Sequence, residues 1–162
     1  MIINHRTASA KEIHLLYAQL PELNAHHSLM DIEMRLQHRP HLMLVAEVNG
    51  RPVGFIAGYA LNTAEFHLWL GGVLPGFRRR GVARALLAAQ ETWAKSRGYH
   101  TINVKSGSRF QGMLLFLISN HYQQTRIEAQ DNEEENKIWL EKNYGNQLIV
   151  FSGSSDCKQR NG

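Results

Sequence analysis

The segment from Gly72 to Leu87 constrains the fold of this chain more than any other, because it reads as a strand, a short loop and a helix in direct succession. The strand ends at Val73, and the helix begins near Gly81, inside a cluster of arginines at positions 78, 79, 80 and 84. Backbone N–H groups of such a loop converge with the unpaired N–H groups of the helix N-terminus. The segment therefore predicts an anion-binding loop, with charge added by the neighbouring arginines.

The rest of the chain alternates between strand and helix patterns. Strands are predicted at 1–6, 42–48, 52–59, 65–73, 101–105, 122–128 and 136–141, and helices at 10–20, 28–39, 81–97 and 110–120. This order predicts an α/β fold built on a mixed sheet.

Three local patterns lead to further expectations. The pair Gly71-Gly72 is expected to interrupt its strand or to admit a close approach to the backbone. The helix after Gly81 is expected to bury Val82, Leu86, Ala89 and Trp93. The helix at 110–120 is apolar nearly all round, so we expect it to be buried and capped by Ser108.

Composition limits the domain count and the class of protein. With 162 residues, 43% apolar and 20% charged, the sequence is typical of one folded domain and excludes wholesale disorder. We expect this domain to span 1–142 and a tail to follow at 143–162, where 148–151 could add an edge strand. The longest apolar run, Met113 to Ile118, is too short for a membrane helix.

The location and metal content can also be predicted. Met1 to Arg6 lacks the pattern of a secretory signal, and the single Cys157 fits a reducing environment, so a cytoplasmic location is expected. The histidine groups His26-His27 and His38-x-x-His41 lack the spacing of a zinc pair and have no cysteine nearby, so no metal is expected. They are interpreted as loop residues that line an acceptor pocket.

The segment around Gly81 also resembles the GNAT-type N-acetyltransferase superfamily. The family signature is Gln/Arg-x-x-Gly-x-Gly/Ala after a strand that ends in Val-x-Pro, and the chain has Arg78-x-x-Gly81-x-Ala83 after Val73-x-Pro75. The resemblance covers about residues 1–142. It implies a mixed, mostly antiparallel sheet of six to seven strands, flanked by about four helices and with splayed central strands.

The same resemblance implies that the loop holds the pyrophosphate of acetyl-coenzyme A through backbone amides, with the pantetheine arm along the strand that ends at Val73. Ser108 lies nearest the place where some family members use an asparagine to contact the cofactor. The implied cofactor-binding residues are Val73, Arg78, Arg79, Arg80, Gly81, Val82, Ala83 and Ser108.

A catalytic base is expected on the same strand. Several branches of the family carry Glu or His eleven residues before the signature, and this position is His67, with Glu65 two residues earlier on the same face. Histidine has a suitable pKa for accepting a proton from an amine. The usual tyrosine acid is replaced by Leu117, so the resemblance supplies no general acid here.

The leading hypothesis is an acetyl-coenzyme A-dependent N-acetyltransferase in which the amine of a small molecule or peptide attacks the thioester directly. The alternative is a non-catalytic acyl-coenzyme A-binding or regulatory module. The net charge of +4 would also suit nucleic acid, but it is concentrated at Gly81 and no reading module is visible, so neither nucleic acid nor membrane is expected as a partner. The identity of the acceptor and a homodimer are left open.

Overall fold

The computed structural model describes residues 1–23 and 26–144. It contains seven strands, in a mostly antiparallel mixed sheet, and four α-helices, which confirms the predicted fold class. The chain divides into two compact units, residues 1–61 with 67–94 and residues 62–66 with the part from 95 onwards.

The first unit contains most of the sheet, with four of its seven strands. Its strands are β1 (Ile3–Thr7), β2 (His41–Val48), β3 (Arg51–Ala60) and β4 (Glu65–Val73), although β4 begins with two residues of the second unit. The strands β1 and β2 are antiparallel neighbours, as are β2 and β3. Asn49 and Gly50, with φ of 52° and 76°, make the tight turn that the sequence predicts between β2 and β3.

Helices cover both faces of these strands. The helices α1 (Ala10–Tyr17) and α2 (Leu29–Leu36) each begin with a serine capping box, at Ser9 and Ser28. One apolar core joins α1 and α2 to alternate residues of the strands, among them Val45, Phe55, Ala57 and Tyr59.

The helix α3 (Val82–Ser96) packs near Gly54, where an added Cβ would lie 2.9 Å from Val82. The predicted burial is confirmed for Val82 and Leu86 but is wrong for Ala89 and Trp93, which are only partly buried. Leu87, Gln90 and Ala94 are the other buried residues of this helix. The buried stripe is therefore rotated from the one that apolar spacing predicts, and it includes a polar glutamine.

Gly71 and Gly72 do not interrupt β4, which continues through both residues. The close approach at Gly72 comes from the protein itself, because an added Cβ would lie 2.2 Å from Cδ1 of Leu20 and 3.3 Å from Cε1 of Phe55. At Gly71 the nearest atom would be 3.5 Å away, an ordinary van der Waals distance.

We therefore expect Gly72→Ala to reduce the free energy of unfolding by about 1–3 kcal/mol, the usual cost of overpacking a core. Gly71→Ala is the matched control and should leave stability nearly unchanged. Urea denaturation of both variants measures the difference. Equal stability of the two variants would show that Leu20 moves aside without cost.

The second unit is smaller. It contains β5 (Thr101–Gly107), α4 (Gln111–Ser119), β6 (Gln123–Glu128) and β7 (Lys137–Asn143). The strand β7 pairs antiparallel with both β5 and β6, which confirms the predicted closing hairpin around the acidic turn.

Two expectations about α4 are wrong. Leu117 is its only buried residue, and Leu115 and Ile118 are 67% and 52% exposed. The cap position is Phe110, without a side-chain hydrogen bond, since the Ser108 hydroxyl donates to the carbonyl oxygen of Glu133 instead. Apolar composition alone does not bury a helix when only one of its faces has a neighbour.

The predicted edge strand at 148–151, most of the predicted tail and Cys157 lie outside the described residues. Within residues 1–23 and 26–144, no helix has the length and apolar character needed to cross a membrane.

Candidate functional site

The loop between β4 and α3 has the backbone geometry of an anion site. A short 3₁₀ turn, Pro75–Phe77, follows β4, and the chain then enters the left-handed region at Arg79 with φ of 61° and at Gly81 with φ of 87°. A left-handed residue can turn the N–H groups of its neighbours toward one concavity, as in anion-binding nests. Gly81 tolerates this conformation because it has no Cβ.

The N–H groups of this loop are available to a ligand. From Arg79 to Arg84, no backbone N–H has a hydrogen-bond partner among the described residues. The first intrahelical bond here is the one that Ala85 N–H donates to the Gly81 carbonyl oxygen, at 3.0 Å. Six consecutive free donors at a helix N-terminus can bind a phosphate group.

Arg78 fixes the loop in place. Its Nε donates to the carbonyl oxygen of Val73 at 2.9 Å, and its Nη2 pairs with the carboxylate of Glu22. The Leu74 N–H donates to the carbonyl oxygen of Val53 at 2.8 Å. The side chain of Arg78 therefore ties the start of the loop to the end of β4 and to the turn after α1.

The other arginines of the loop are available to bind an anion. Arg79, Arg80 and Arg84 are exposed, and none of them forms an ion pair within the part of the chain that the structure describes. Val82 is buried and Ala83 is partly buried, so they contribute backbone N–H groups and packing. The loop thus combines free donors with uncompensated positive charge.

His67 lies in an aromatic environment within the first unit. Its side chain is 5% exposed, and its ring packs edge-on against Tyr59 with centroids 5.5 Å apart. Tyr59 also makes an edge contact with Trp69, at 5.9 Å. Both β4 residues therefore lie on the sheet face that α1 and α2 cover.

Two arginines reach the same aromatic residues. The Nη1 of Arg35 donates to the Tyr59 hydroxyl at 3.2 Å, and its guanidinium carbon lies 4.7 Å from the centroid of Trp69. The guanidinium carbon of Arg39 lies 4.8 Å from the centroid of Tyr59. Sequence reasoning missed these residues, because both arginines are exposed and their aromatic partners come from β3 and β4.

His27 lies against the same aromatic residues. Its ring contacts Trp69 edge-on at 5.1 Å. Burial lowers the pKa of His27 below its usual value, and the positive charges of His26 and Arg35 lower it further, against an opposing effect of Asp31. The neutral imidazole is therefore favoured over the imidazolium at neutral pH.

The remaining sequence-predicted residues belong to the second unit. Glu65 is partly buried and accepts a hydrogen bond from the Asn62 amide at 3.3 Å. The Ser108 N–H donates to Asn136, and its hydroxyl is bound to Glu133. Leu117 is 1% exposed, so the position of the usual family acid is packed into a core.

A metal site finds no support in the described ranges 1–23 and 26–144, where no three His, Cys, Asp or Glu side chains are grouped as metal ligands would be.

Residues 10–114 match the family model described as acetyltransferase (GNAT) family. An acetyltransferase of Pectobacterium atrosepticum is 43% identical over 75 residues, which cover 46% of this chain and 52% of that protein. The chain thus spans about half the length of the curated relatives it matches.

Solved structures share the fold at low sequence identity. Ard1 from Thermoplasma volcanium has a TM-score of 0.75 and 21% identity, over 88% of this chain and 98% of its own. A GNAT family acetyltransferase from Elizabethkingia anophelis, solved with acetyl-CoA bound, has a TM-score of 0.69 and 17% identity, over 87% of this chain and 97% of its own.

Proposed function

The chain belongs to the GNAT family of acetyltransferases, and from this premise we propose that it transfers the acetyl group of acetyl-coenzyme A to a primary amine. The observation that carries the proposal is the run of free N–H groups from Arg79 to Arg84, which suits a pyrophosphate. The acetyl-CoA named for the Elizabethkingia anophelis structure supports the same cosubstrate.

In this proposal the cofactor-binding residues have different roles. The N–H groups of Gly81, Val82 and Ala83 bind phosphate oxygens, and Arg79 and Arg80 add charge. Arg78 keeps the loop in its binding geometry through Val73 and Glu22, so it is a positioning residue. Contact between Ser108 and the cofactor stays a prediction.

The position of His67 along β4 supports its proposed role as the base. His67 precedes Val73 by six residues of β4, which is about 20 Å along an extended strand. A base at that separation from the phosphate loop suits a cofactor whose reactive end lies far from its phosphates.

The reaction that we propose is direct attack. The lone pair of a neutral amine attacks the thioester carbonyl carbon, the carbon–sulfur bond breaks, and coenzyme A leaves as a thiolate. The proton of the amine goes to His67, with Glu65 as the alternative base that the sequence leaves open. The thiolate takes its proton from solvent in this scheme, because Leu117 has none to give.

The test is release of free thiol from acetyl-coenzyme A, measured with a dye, in the presence of a panel of primary amines. We expect amine-dependent thiol release and an N-acetylated product by mass spectrometry. Secondary alcohols matched in size to the amines are the control and should give no product.

The alternative is a non-catalytic acyl-coenzyme A-binding module, and the buried Leu117 is the observation that favours it. Tight binding of acetyl-coenzyme A by calorimetry, without thiol release for any amine, would support this module and overturn the transferase.

A further inference from the structure

An arginine–aromatic cluster in the first unit has no role in the chemistry described so far. Its members are Arg35 of α2, Arg39, Tyr59 of β3 and Trp69 of β4. Both guanidinium groups contact the ring of Tyr59, at 6.0 Å for Arg35 and 4.8 Å for Arg39. Tyr59 also contacts His67, so a single side chain separates the arginines from the proposed base.

The two arginines of this cluster have no direct carboxylate partner among the described residues. Neither Arg35 nor Arg39 forms an ion pair with any carboxylate in the described ranges. The Asp31 carboxylate is used to cap α2, because it accepts the N–H of Ser28 at 2.9 Å.

Guanidinium groups held against aromatic rings retain free N–H donors at their edges. The Nη1 of Arg35 donates to the Tyr59 hydroxyl, and no other hydrogen bond of this guanidinium is formed within the described residues. Guanidinium groups bind a planar oxyanion through paired hydrogen bonds, and the structure holds two of them beside one ring.

We propose that Arg35 and Arg39 bind a carboxylate of the acceptor, so that the substrates are small amines that carry a carboxylate group. The inference rests on the proposed acetyl transfer and specifies its acceptor. Tyr59 and Trp69 hold the two guanidinium groups in position, and a carboxylate bound there places the rest of a small molecule beside His67.

The experiment compares amines that differ only in the anionic group. The amino acid probes are β-alanine and γ-aminobutyrate. Propylamine and butylamine are the matching amines without a carboxylate, and aminopropylphosphonate is the matching amine with a phosphonate. For the wild type we expect kcat/KM to be at least about tenfold higher for the amino acids than for the alkylamines.

Arg35→Gln and Arg39→Gln should each lower kcat/KM for the amino acids by at least about tenfold, mainly by raising KM. The kcat/KM for the alkylamines should stay unchanged in both variants. Arg126→Gln is the matched control, because Arg126 stacks on Trp139 at 4.4 Å in the second unit and should change neither class. Equal losses of kcat/KM for the amino acids and the alkylamines would show that Arg35 and Arg39 only pack against the aromatic residues. A higher kcat/KM for aminopropylphosphonate than for the amino acids would overturn the carboxylate assignment.

Calorimetry separates this inference from the proposed reaction. Titration of γ-aminobutyrate into wild type and Arg35→Gln, each saturated with coenzyme A, measures carboxylate binding without turnover. Binding that Arg35→Gln abolishes supports the carboxylate site even if no amine is acetylated. Acetyl transfer to amines without any preference for the amino acids would overturn the carboxylate site and leave the transferase standing.

Discussion

His67→Ala should lower kcat/KM for acetyl transfer by about 10²- to 10⁴-fold, the usual contribution of a positioned general base. The loss is expected to be greatest at neutral pH and smaller at high pH, where the amine is deprotonated by solvent. The variant should keep the fall in kcat/KM toward acid pH that protonation of the amine substrate produces, and should lose only the additional fall that protonation of the base produces. Stopped-assay rates from pH 6 to pH 10 test this expectation.

Two further variants keep the result interpretable. His5→Ala removes an exposed histidine of β1 and should change nothing, and Glu65→Gln tests the alternative base. Because His67 is buried, the coenzyme A Kd of each variant must match the wild type before rates are compared. Full kcat/KM of His67→Ala at every pH would contradict its assignment, and a large loss in Glu65→Gln alone would transfer the role to Glu65.

Gly81→Ala should weaken coenzyme A binding by about tenfold or more. A residue with a Cβ pays about 1–2 kcal/mol to stay at φ of 87°. Relief of this strain rotates the N–H groups of the loop away from their common concavity. The new Cβ has open space around it, with only Ile3 within 4 Å, so a clash with the protein does not contribute. Calorimetric titration with coenzyme A measures the change in Kd.

The chain provides two controls for this variant. Gly98 has the same φ of 87° and open surroundings at the C-terminal end of α3, so Gly98→Ala should lose similar stability without a change in Kd. Gly76→Ala lies in the same loop, without a left-handed φ or a close neighbour, and should change neither property. A Kd for Gly81→Ala within twofold of the wild type would rule out this loop as the phosphate site.

The loop between β4 and α3 could be predicted from the sequence because its determinants are local. A strand that ends at Val73, a glycine at position 81 and a helix directly after it are consecutive in the chain. Free N–H groups then follow from helix geometry alone. The role of Arg78 could not be predicted in the same way, because its partner Glu22 lies 56 residues away in sequence.

The sequence by itself determined the order of strands and helices, the tight turn at Asn49 and the loop between β4 and α3, since each depends on neighbours within a few residues. The candidate base His67 came from the family resemblance and not from a local pattern. Only the tertiary structure decided which face of α4 is buried, why Gly72 must be small, and that Arg35 and Arg39 meet at Tyr59. The physical reason is that burial and charge compensation depend on partners from distant parts of the chain, and periodicity within one element carries no information about those partners.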